Sequence, residues 1–236
     1  MQRNSSTDPR LQSFKGLVEL GPKFRPRSHI SHVVFDFDGT LSIIRQGWPE
    51  IMVPMFTDII PAVAGESLED RSKLAFEDIM RLNGKQTIYQ MIQLAERVRE
   101  RGGVPREALE YKHEYLRRLN SRIQHRISDL QSGRLQHDDL TVFGSRPLLD
   151  RLQALGLKLY LASGTDVQFV KEEAEHLDIA KYFGAHIYGA LDDYKQFSKK
   201  MIIDRILHEN AIPGEQLLAF GDGYVEIGRA SCRERV

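Results

Sequence analysis

Residues 32–41 read His-Val-Val-Phe-Asp-Phe-Asp-Gly-Thr-Leu, a short apolar run that ends in two carboxylates. Its β-branched and aromatic side chains are uninterrupted, which is typical of a strand buried on both faces of a parallel sheet. Asp36 and Asp38 follow where this strand should end, and open α/β sheets place their chemistry at the carboxyl ends of strands. Gly39 allows a tight turn around a bound group. Because Mg²⁺ prefers oxygen ligands and takes few of them from protein, the two acids indicate a magnesium and phosphate site; a plain polar Asp-Gly turn is the alternative.

The spacing of apolar residues along the chain changes twice after residue 41. From about residue 48 to about residue 136, apolar residues recur at helical spacing, and the last of these helices is expected to carry an apolar stripe of Leu109, Leu116, Leu119, Ile123 and Ile127. From residue 145 onwards, helices alternate with short apolar runs at 157–162, 185–188 and 217–220. This alternation predicts an α/β fold with a doubly wound parallel sheet, into which the first helical region is inserted.

A second polar motif follows the strand expected at 157–162. Ser163, Gly164 and Thr165 stand between this strand and a helix expected to begin at Asp166. A hydroxyl group and main-chain N–H groups at such a turn form a cradle for phosphate. Capping of the next helix by Ser163 or Thr165 is the simpler alternative.

Two further sets of charged residues lie near the ends of predicted helices and strands. Three lysines lie near the start of the helix expected at 198–208: Lys195, Lys199 and Lys200. A lysine is suited to neutralising phosphoryl oxygens and a nucleophilic carboxylate together, although most lysines are solvated surface residues.

Asp222 follows the strand at 217–220 and stands before a glycine, which repeats the arrangement of the first motif, and Glu226 lies four positions further on. An acid in the first turn of a helix is the alternative for Glu226.

Taken in order, these four motifs resemble those of the haloacid dehalogenase-like hydrolases. The resemblance covers about residues 31–226 and implies a Rossmann-like core with an α-helical cap inserted after the first motif. It implies that Asp36 is the nucleophile, which forms an aspartyl-phosphate, and that Asp38 is the general acid and base. It further implies that Mg²⁺ is the cofactor, held by Asp36, the Asp38 carbonyl group and Asp222.

The same resemblance implies which residues bind phosphate: Thr40, Ser163, Gly164 and Lys199. Lys199 is favoured over Lys195 and Lys200 because apolar residues follow it at plus three, four and seven, as in the family's third motif. Glu226 is a possible secondary acid. The expected domain organisation is a polar arm at 1–30, a core at 31–45 and 140–226, and a helical cap at 46–139.

Asp38 narrows the expected reaction within the family. Relatives that attack carbon in haloacids lack this second acid, since no alcohol leaving group needs a proton there. We therefore expect a phosphate monoester hydrolase that acts on a small phosphorylated metabolite under its cap, such as a sugar phosphate or phosphoglycolate. Trp48, Lys85 and Gln86 lie near the expected cap hinges or loops, where contact with substrate is one interpretation and a structural or solvent-facing role is the favoured one. A phosphomutase of the same fold, or a truncated non-catalytic interaction module, are the alternatives.

The amino-acid composition argues against a protein that binds nucleic acid or spans a membrane. The 33 basic and 33 acidic residues cancel, so no overall charge attracts nucleic acid or an anionic membrane. The arginines between Arg97 and Arg126 alternate with glutamates, which favours compensating ion pairs over a nucleic-acid surface. The chain shows no apolar segment that would span a bilayer and has a single cysteine, Cys232, so a cytoplasmic protein is expected and its oligomeric state stays open.

The last ten residues do not fit the expected fold. After its fourth motif, a doubly wound domain of this family should continue with a helix and another strand, yet residues 227–236 are polar and arginine-rich. Their sequence, Ile-Gly-Arg-Ala-Ser-Cys-Arg-Glu-Arg-Val, is also what one reading frame of a common sequencing adapter would encode. We therefore expect the native sequence to stop at Val225 and the tail to be non-native.

Overall fold

The computed structural model describes residue 27, residues 29–191 and residues 197–222. These residues form a four-stranded, wholly parallel sheet in the order β3-β2-β1-β4. Its strands are β1 (His32–Phe35), β2 (Lys158–Asp166), β3 (Ile187–Ala190) and β4 (Leu217–Phe220). The polar arm, Lys195, Glu226 and the tail at 227–236 lie outside the described residues, apart from the end of the arm.

Helices connect and cover the strands. The first four after β1 form an inserted helical region: α1 (Pro49–Ile59), α2 (Leu68–Arg81), α3 (Thr87–Glu100) and α4 (Ala108–Gln131). Three more pack on the sheet: α5 (Ser145–Ala154), α6 (Val167–His176) and α7 (Lys199–Glu209). Short 3-10 segments lie at His137–Leu140, Ala180–Tyr182 and Gly214–Gln216.

Both faces of the sheet are covered, as the doubly wound prediction requires. Side chains alternate along β1, so Val33 and Phe35 join the apolar cluster that contains α5 and α6, whereas Val34 joins the cluster that contains α7. The Phe35 ring also stacks on the Phe220 ring of β4, with centroids 4.8 Å apart. The predicted α/β fold with a parallel doubly wound sheet is confirmed.

The inserted helices share one apolar core with the sheet. Met52 of α1 and Tyr115 of α4 belong to the same buried cluster as Phe35 and Leu161. The predicted stripe on α4 is wrong in one position, because Leu109 is exposed, and the buried face instead runs through Tyr111, Tyr115, Leu119 and Ile123 at four-residue spacing. In the described part of the chain, no helix is both long and apolar enough to cross a membrane.

Strand β2 is longer than its apolar run predicts. We expect the strand to end at residue 162, but its pairing with β3 shifts register after Ala162 and resumes where Asp166 stands opposite Ala190. Gly189 makes this possible, since a Cβ atom there would lie 2.5 Å from the Val167 Cα atom. The second polar motif therefore lies in extended backbone, and the helix begins one residue later than predicted, at Val167.

Candidate active site

Three strand ends bring the predicted polar motifs together. β1 lies between β2 and β4, and the chain reaches these two neighbours over opposite faces of the sheet, which opens a crevice at their carboxyl ends. The Asp36 N–H group donates to the Phe220 carbonyl oxygen at 2.8 Å, so the first acid stands beside the end of β4. Asp222 lies two residues after the end of β4, and Ser163 to Thr165 belong to the last part of β2.

Asp36 is a buried carboxylate with a lysine in contact. Its Oδ1 atom lies 2.9 Å from the Lys199 Nζ atom and accepts the Phe37 N–H group at 2.8 Å. Ser198 caps α7 by accepting from the Met201 N–H group, which starts the helix at Lys199 beside the acid. Lys200 instead pairs with Asp204 on the exposed side of α7. Of the two predicted lysines that the structure describes, only Lys199 therefore contacts Asp36.

Asp38 is held differently, by two hydroxyl groups of β2. Its Oδ2 atom accepts from the Ser163 hydroxyl at 3.2 Å and from the Thr165 hydroxyl at 2.8 Å. The Ser163 hydroxyl also accepts the Thr165 N–H group at 3.0 Å, which fixes the pair. The Asp38 Oδ1 atom is buried and has no hydrogen bond within the described ranges. One oxygen of this acid is thus oriented by two hydroxyl groups, and the other has no hydrogen-bond partner in that part of the chain.

Gly39 brings Asp222 against the first motif. Gly39 has a φ of 77°, and a Cβ atom there would lie 2.4 Å from the Asp222 Oδ2 atom, so only glycine lets this carboxylate approach so closely. The described residues contain no cluster of three or more His, Cys, Asp and Glu side chains that could hold a metal. The expected ligand set has only two side-chain carboxylates and one carbonyl group, which suits Mg²⁺ because this ion keeps several waters and takes few ligands from protein.

A cavity of about 420 Å³ opens above these residues and is roofed by the inserted helices. The sheet contributes Asp36, Asp38, Thr165 and Asp222 to its walls, and the helical region contributes Trp48, Met52, Gln90, Tyr115 and the loop at 83–85. This loop rests on the second motif, since a Cβ atom on Gly164 would lie 3.0 Å from the Lys85 carbonyl oxygen. Gln86 extends the contact by donating from Nε2 to the Phe197 carbonyl oxygen at 2.6 Å.

A family model for haloacid dehalogenase-like hydrolases matches residues 30–230. The chain belongs to this family. The match includes all four strands, the inserted helices and the strand-end acids described above. The family predicted from the order of the motifs is confirmed, and with it the prediction of a hydrolase-family enzyme.

Solved structures share the fold at low sequence identity. A predicted phosphoglycolate phosphatase from Haemophilus somnus gives a TM-score of 0.57 at 14% identity, covering 86% of this chain and 81% of that one. A predicted phosphatase from Clostridium acetobutylicum gives 0.55 at 18% identity, covering 85% and 79%. A haloacid dehalogenase-like hydrolase from Streptococcus pneumoniae gives 0.53 at 17% identity, with the same coverage. No curated protein matches the chain.

This hydrolase also has a buried arginine beside its second acid. Arg45, on the segment that leads into the helical region, makes a bidentate contact with Glu173 of α6, with Nε and Nη2 both within 3.1 Å of the carboxylate. Its Nε atom lies 3.8 Å from the Asp38 Oδ1 atom. Burial alone would lower the pKa of Arg45, but the charges of Glu173 and Asp38 outweigh it and raise the pKa, so the guanidinium stays charged.

A second buried ion pair joins the helical region to the sheet. Lys112 of α4 is 4% exposed, and its Nζ atom lies 2.6 Å from the Asp166 Oδ1 atom at the end of β2. Asp166 directly follows the Ser163 to Thr165 segment that holds Asp38. The contact therefore links α4 of the inserted helical region to the end of β2, which orients Asp38.

The predicted site residues differ in whether they line the cavity. Thr40 is not in the cavity wall among the described residues, and its buried hydroxyl has no hydrogen bond there. Ser163 contacts Asp38, while Gly164 and Asp222 line the cavity. Lys195 and Glu226 lie outside the described residues.

Sequence reasoning missed five residues around this site: Arg45, Lys112, Tyr115, Thr165 as a partner of Asp38, and Glu173. Thr165 had a signal, because residues two apart in extended backbone point to the same side, as Ser163 and Thr165 do. The other four lie on helices or in a connecting segment and have no local signature, since each acquires its role from a partner far away in sequence.

Proposed function

We propose that the protein is a Mg²⁺-dependent phosphate monoester hydrolase that acts on a small phosphorylated metabolite. The observation that carries this proposal is the second acid: Asp38 is fixed at Oδ2 by two hydroxyl groups, and its Oδ1 atom faces no hydrogen-bond partner in the described structure. It stands two residues from Asp36, which Lys199 contacts. A nucleophilic carboxylate next to a separately oriented acid suits transfer from an alcohol leaving group.

In the first half-reaction, an Asp36 carboxylate oxygen attacks phosphorus and the bond between phosphorus and the ester oxygen breaks. Asp38 gives its proton to the departing alkoxide, which leaves as a neutral alcohol. Lys199 places a positive charge beside the attacking carboxylate and the phosphoryl oxygens, where negative charge accumulates. The product is an aspartyl-phosphate on Asp36.

The second half-reaction reverses the role of Asp38. The carboxylate left after proton transfer takes a proton from water, and the water oxygen attacks phosphorus. The acyl phosphate bond to Asp36 breaks, which releases inorganic phosphate and restores the aspartate. Thr165 holds Asp38 by Oδ2 in both steps, so one geometry serves as acid and as base. The Ser163 hydroxyl has a single proton, which it donates to Asp38 in the free enzyme and to phosphate when substrate is bound.

The residues at the strand ends fit the metal that the family uses. Asp36, the Asp38 carbonyl group and Asp222 would hold Mg²⁺, and Gly39 leaves the space that the Asp222 carboxylate needs. When bound, the ion would shield the attacking carboxylate from the negative phosphate oxygens. We assign phosphate binding to the Ser163 hydroxyl, the Gly164 main chain and Lys199, with Thr40 as an additional candidate.

The roof over the cavity supports a small molecule as the substrate. The helical region covers the acids and leaves about 420 Å³, within the range of pockets that enclose small ligands. A loop of a protein substrate would have to displace the 83–85 loop, which rests directly on Gly164. These contacts support a phosphorylated metabolite as the substrate.

The test is release of inorganic phosphate from a panel of small phosphate esters, with and without Mg²⁺. We expect Mg²⁺-dependent release, its loss in Asp36→Asn, and a decrease of about 10²- to 10³-fold in Lys199→Ala. Lys200→Ala is the matched control, because this neighbour points to solvent and pairs with Asp204, and it should keep full activity. No release from any ester by a folded, Mg²⁺-loaded protein would contradict the proposal, whereas an isomerised sugar phosphate without free phosphate would identify the phosphomutase alternative.

A further inference from the structure

One tyrosine of α4 lines the cavity above the second acid and has no hydrogen-bond partner in the described part of the chain. Tyr115 of α4 is 4% exposed and forms part of the cavity wall. Its hydroxyl makes no hydrogen bond to any residue in the described part of the chain. The hydroxyl oxygen is not among the buried atoms that lack a partner in the described structure, so it opens into the cavity, where a bound ligand can take the place of water.

The surroundings of Tyr115 show what kind of ligand it faces. Burial raises the pKa of the phenol, the nearby Arg45 guanidinium opposes this and the Asp38 carboxylate adds to it, so the hydroxyl stays protonated at any working pH. A neutral phenol both donates and accepts hydrogen bonds. Tyr115 and Asp38 line the same cavity, so a substrate bound there can meet both side chains.

The charged side chains near Tyr115 already have partners of opposite charge. Arg45 is paired with Glu173, and Lys112, one turn before Tyr115 on α4, is paired with Asp166. Lys85 is the remaining cation of the cavity wall in the described structure, and it lies on the exposed loop. The part of the cavity around Tyr115 therefore suits a neutral polar group better than a second phosphate or a carboxylate.

We infer that Tyr115 is a specificity-determining residue whose hydroxyl binds a hydroxyl group of the alcohol half of the substrate, close to the ester bond that is cleaved. This inference rests on the proposed phosphatase function and names the substrate class as a phosphate ester of a neutral polyol. The cap thereby contributes a contact that a leaving group without hydroxyl groups cannot make. A site that hydrogen-bonds a substrate hydroxyl discriminates strongly against an analogue that lacks it, because its own polar group is left unpaired.

The experiment compares glycerol 3-phosphate with propyl phosphate, which has the same carbon chain without the free hydroxyl groups. We expect wild type to have the higher kcat/KM for glycerol 3-phosphate, and Tyr115→Phe to lower that value about tenfold more than the value for propyl phosphate. Tyr111→Phe is the matched control. It removes a hydroxyl one turn earlier on the same helix, where the group accepts the Arg106 N–H group at 3.0 Å and is remote from the cavity wall.

The outcomes separate the two proposals. Equal kcat/KM values for both esters in wild type, or an equal loss for both in Tyr115→Phe, would overturn the role of Tyr115 while leaving the phosphatase function intact. A change of ester preference in Tyr111→Phe of the same size would show that the effect is structural and would also overturn it. If wild type releases phosphate from no ester at all, the proposed function fails and the role of Tyr115 fails with it.

Discussion

Two carboxylates only two residues apart have different surroundings, and this difference suits them to the different roles that we propose. Asp36 is buried against a lysine, which stabilises the charged form that the proposed nucleophile needs. Asp38 has no cation in direct hydrogen-bond contact among the described residues, because Arg45 lies 3.8 Å away and is engaged by Glu173. Its Oδ2 atom is bound by neutral hydroxyl groups that tolerate either protonation state. Opposite roles for paired acids commonly arise from such differences in environment.

This leads to a prediction about Asp38→Asn. The amide oxygen can still accept from Ser163 and Thr165, so the fold is kept, but no proton can be delivered to the leaving group. We expect kcat to fall about 10²- to 10⁴-fold for alkyl phosphates, and much less for formation of the phosphoenzyme from p-nitrophenyl phosphate, whose phenolate leaves without a proton. Single-turnover kinetics with both esters measure this difference. Equal loss of the chemical step with both esters would exclude the role of Asp38 as an acid.

At the scale of elements, α4 connects the cap to the catalytic strand ends. Its buried face carries Tyr111, Lys112 and Tyr115 within little more than one turn. Lys112 contacts Asp166 at the end of β2, and Tyr115 faces the cavity beside Asp38. The helix thus contributes polar groups to a face that also belongs to the apolar core: Lys112 meets its partner on the sheet, the Tyr111 hydroxyl accepts the Arg106 N–H group, and Tyr115 lines the cavity.

We predict that Lys112→Met destabilises the protein by about 3 kcal/mol, since it leaves Asp166 partly buried without its cation. In a double-mutant cycle with Asp166→Asn, the coupling energy should be about 1–3 kcal/mol. Urea denaturation of the four proteins measures it. Arg117→Met is the control, because Arg117 is an exposed cation of the same helix whose surface pair with Glu114 contributes little. Additive effects of the two substitutions would show that the pair does not hold α4 on β2.

At the scale of the molecule, the inserted helices and the sheet form one continuous core. Met52, Tyr115 and Leu119 of the helical region belong to the same buried cluster as Phe35 and Leu161 of the sheet. The roof of the cavity is therefore fixed by apolar packing as well as by the ion pairs at its edge. A cap joined in this way should unfold together with the core.

The single tryptophan tests this expectation. Trp48 lies at the start of α1, packs on the shared core and lines the cavity. We predict that its fluorescence and the far-UV circular dichroism of the whole chain change at the same urea concentration. A fluorescence transition at clearly lower urea would show that the helical region opens before the sheet unfolds. Phosphate added with Mg²⁺ should shift both transitions to higher urea by mass action.

The sequence by itself determined the order of elements and the positions of the acids. Strand and helix periodicities are local, and Asp36, Asp38, Ser163 and Asp222 each follow an apolar run, so their meeting at one edge follows once the strands are parallel. The same locality explains the errors. The extension of β2 depends on Gly189 of another strand, and the burial of Tyr111 and Tyr115 on α4 depends on the rest of the folded chain.

Only the tertiary structure decided which charges are paired and which polar groups face the cavity. Arg45 and Glu173 are separated by 128 positions, and Lys112 and Asp166 by 54, so neither pair leaves a pattern in the sequence. Lys199 differs from Lys200 only in the side of α7 on which it lies, and this is fixed by where the helix begins against the sheet. Side-chain chemistry is local and can be read from the sequence, whereas burial and partnership depend on the whole chain and become known only when it is folded.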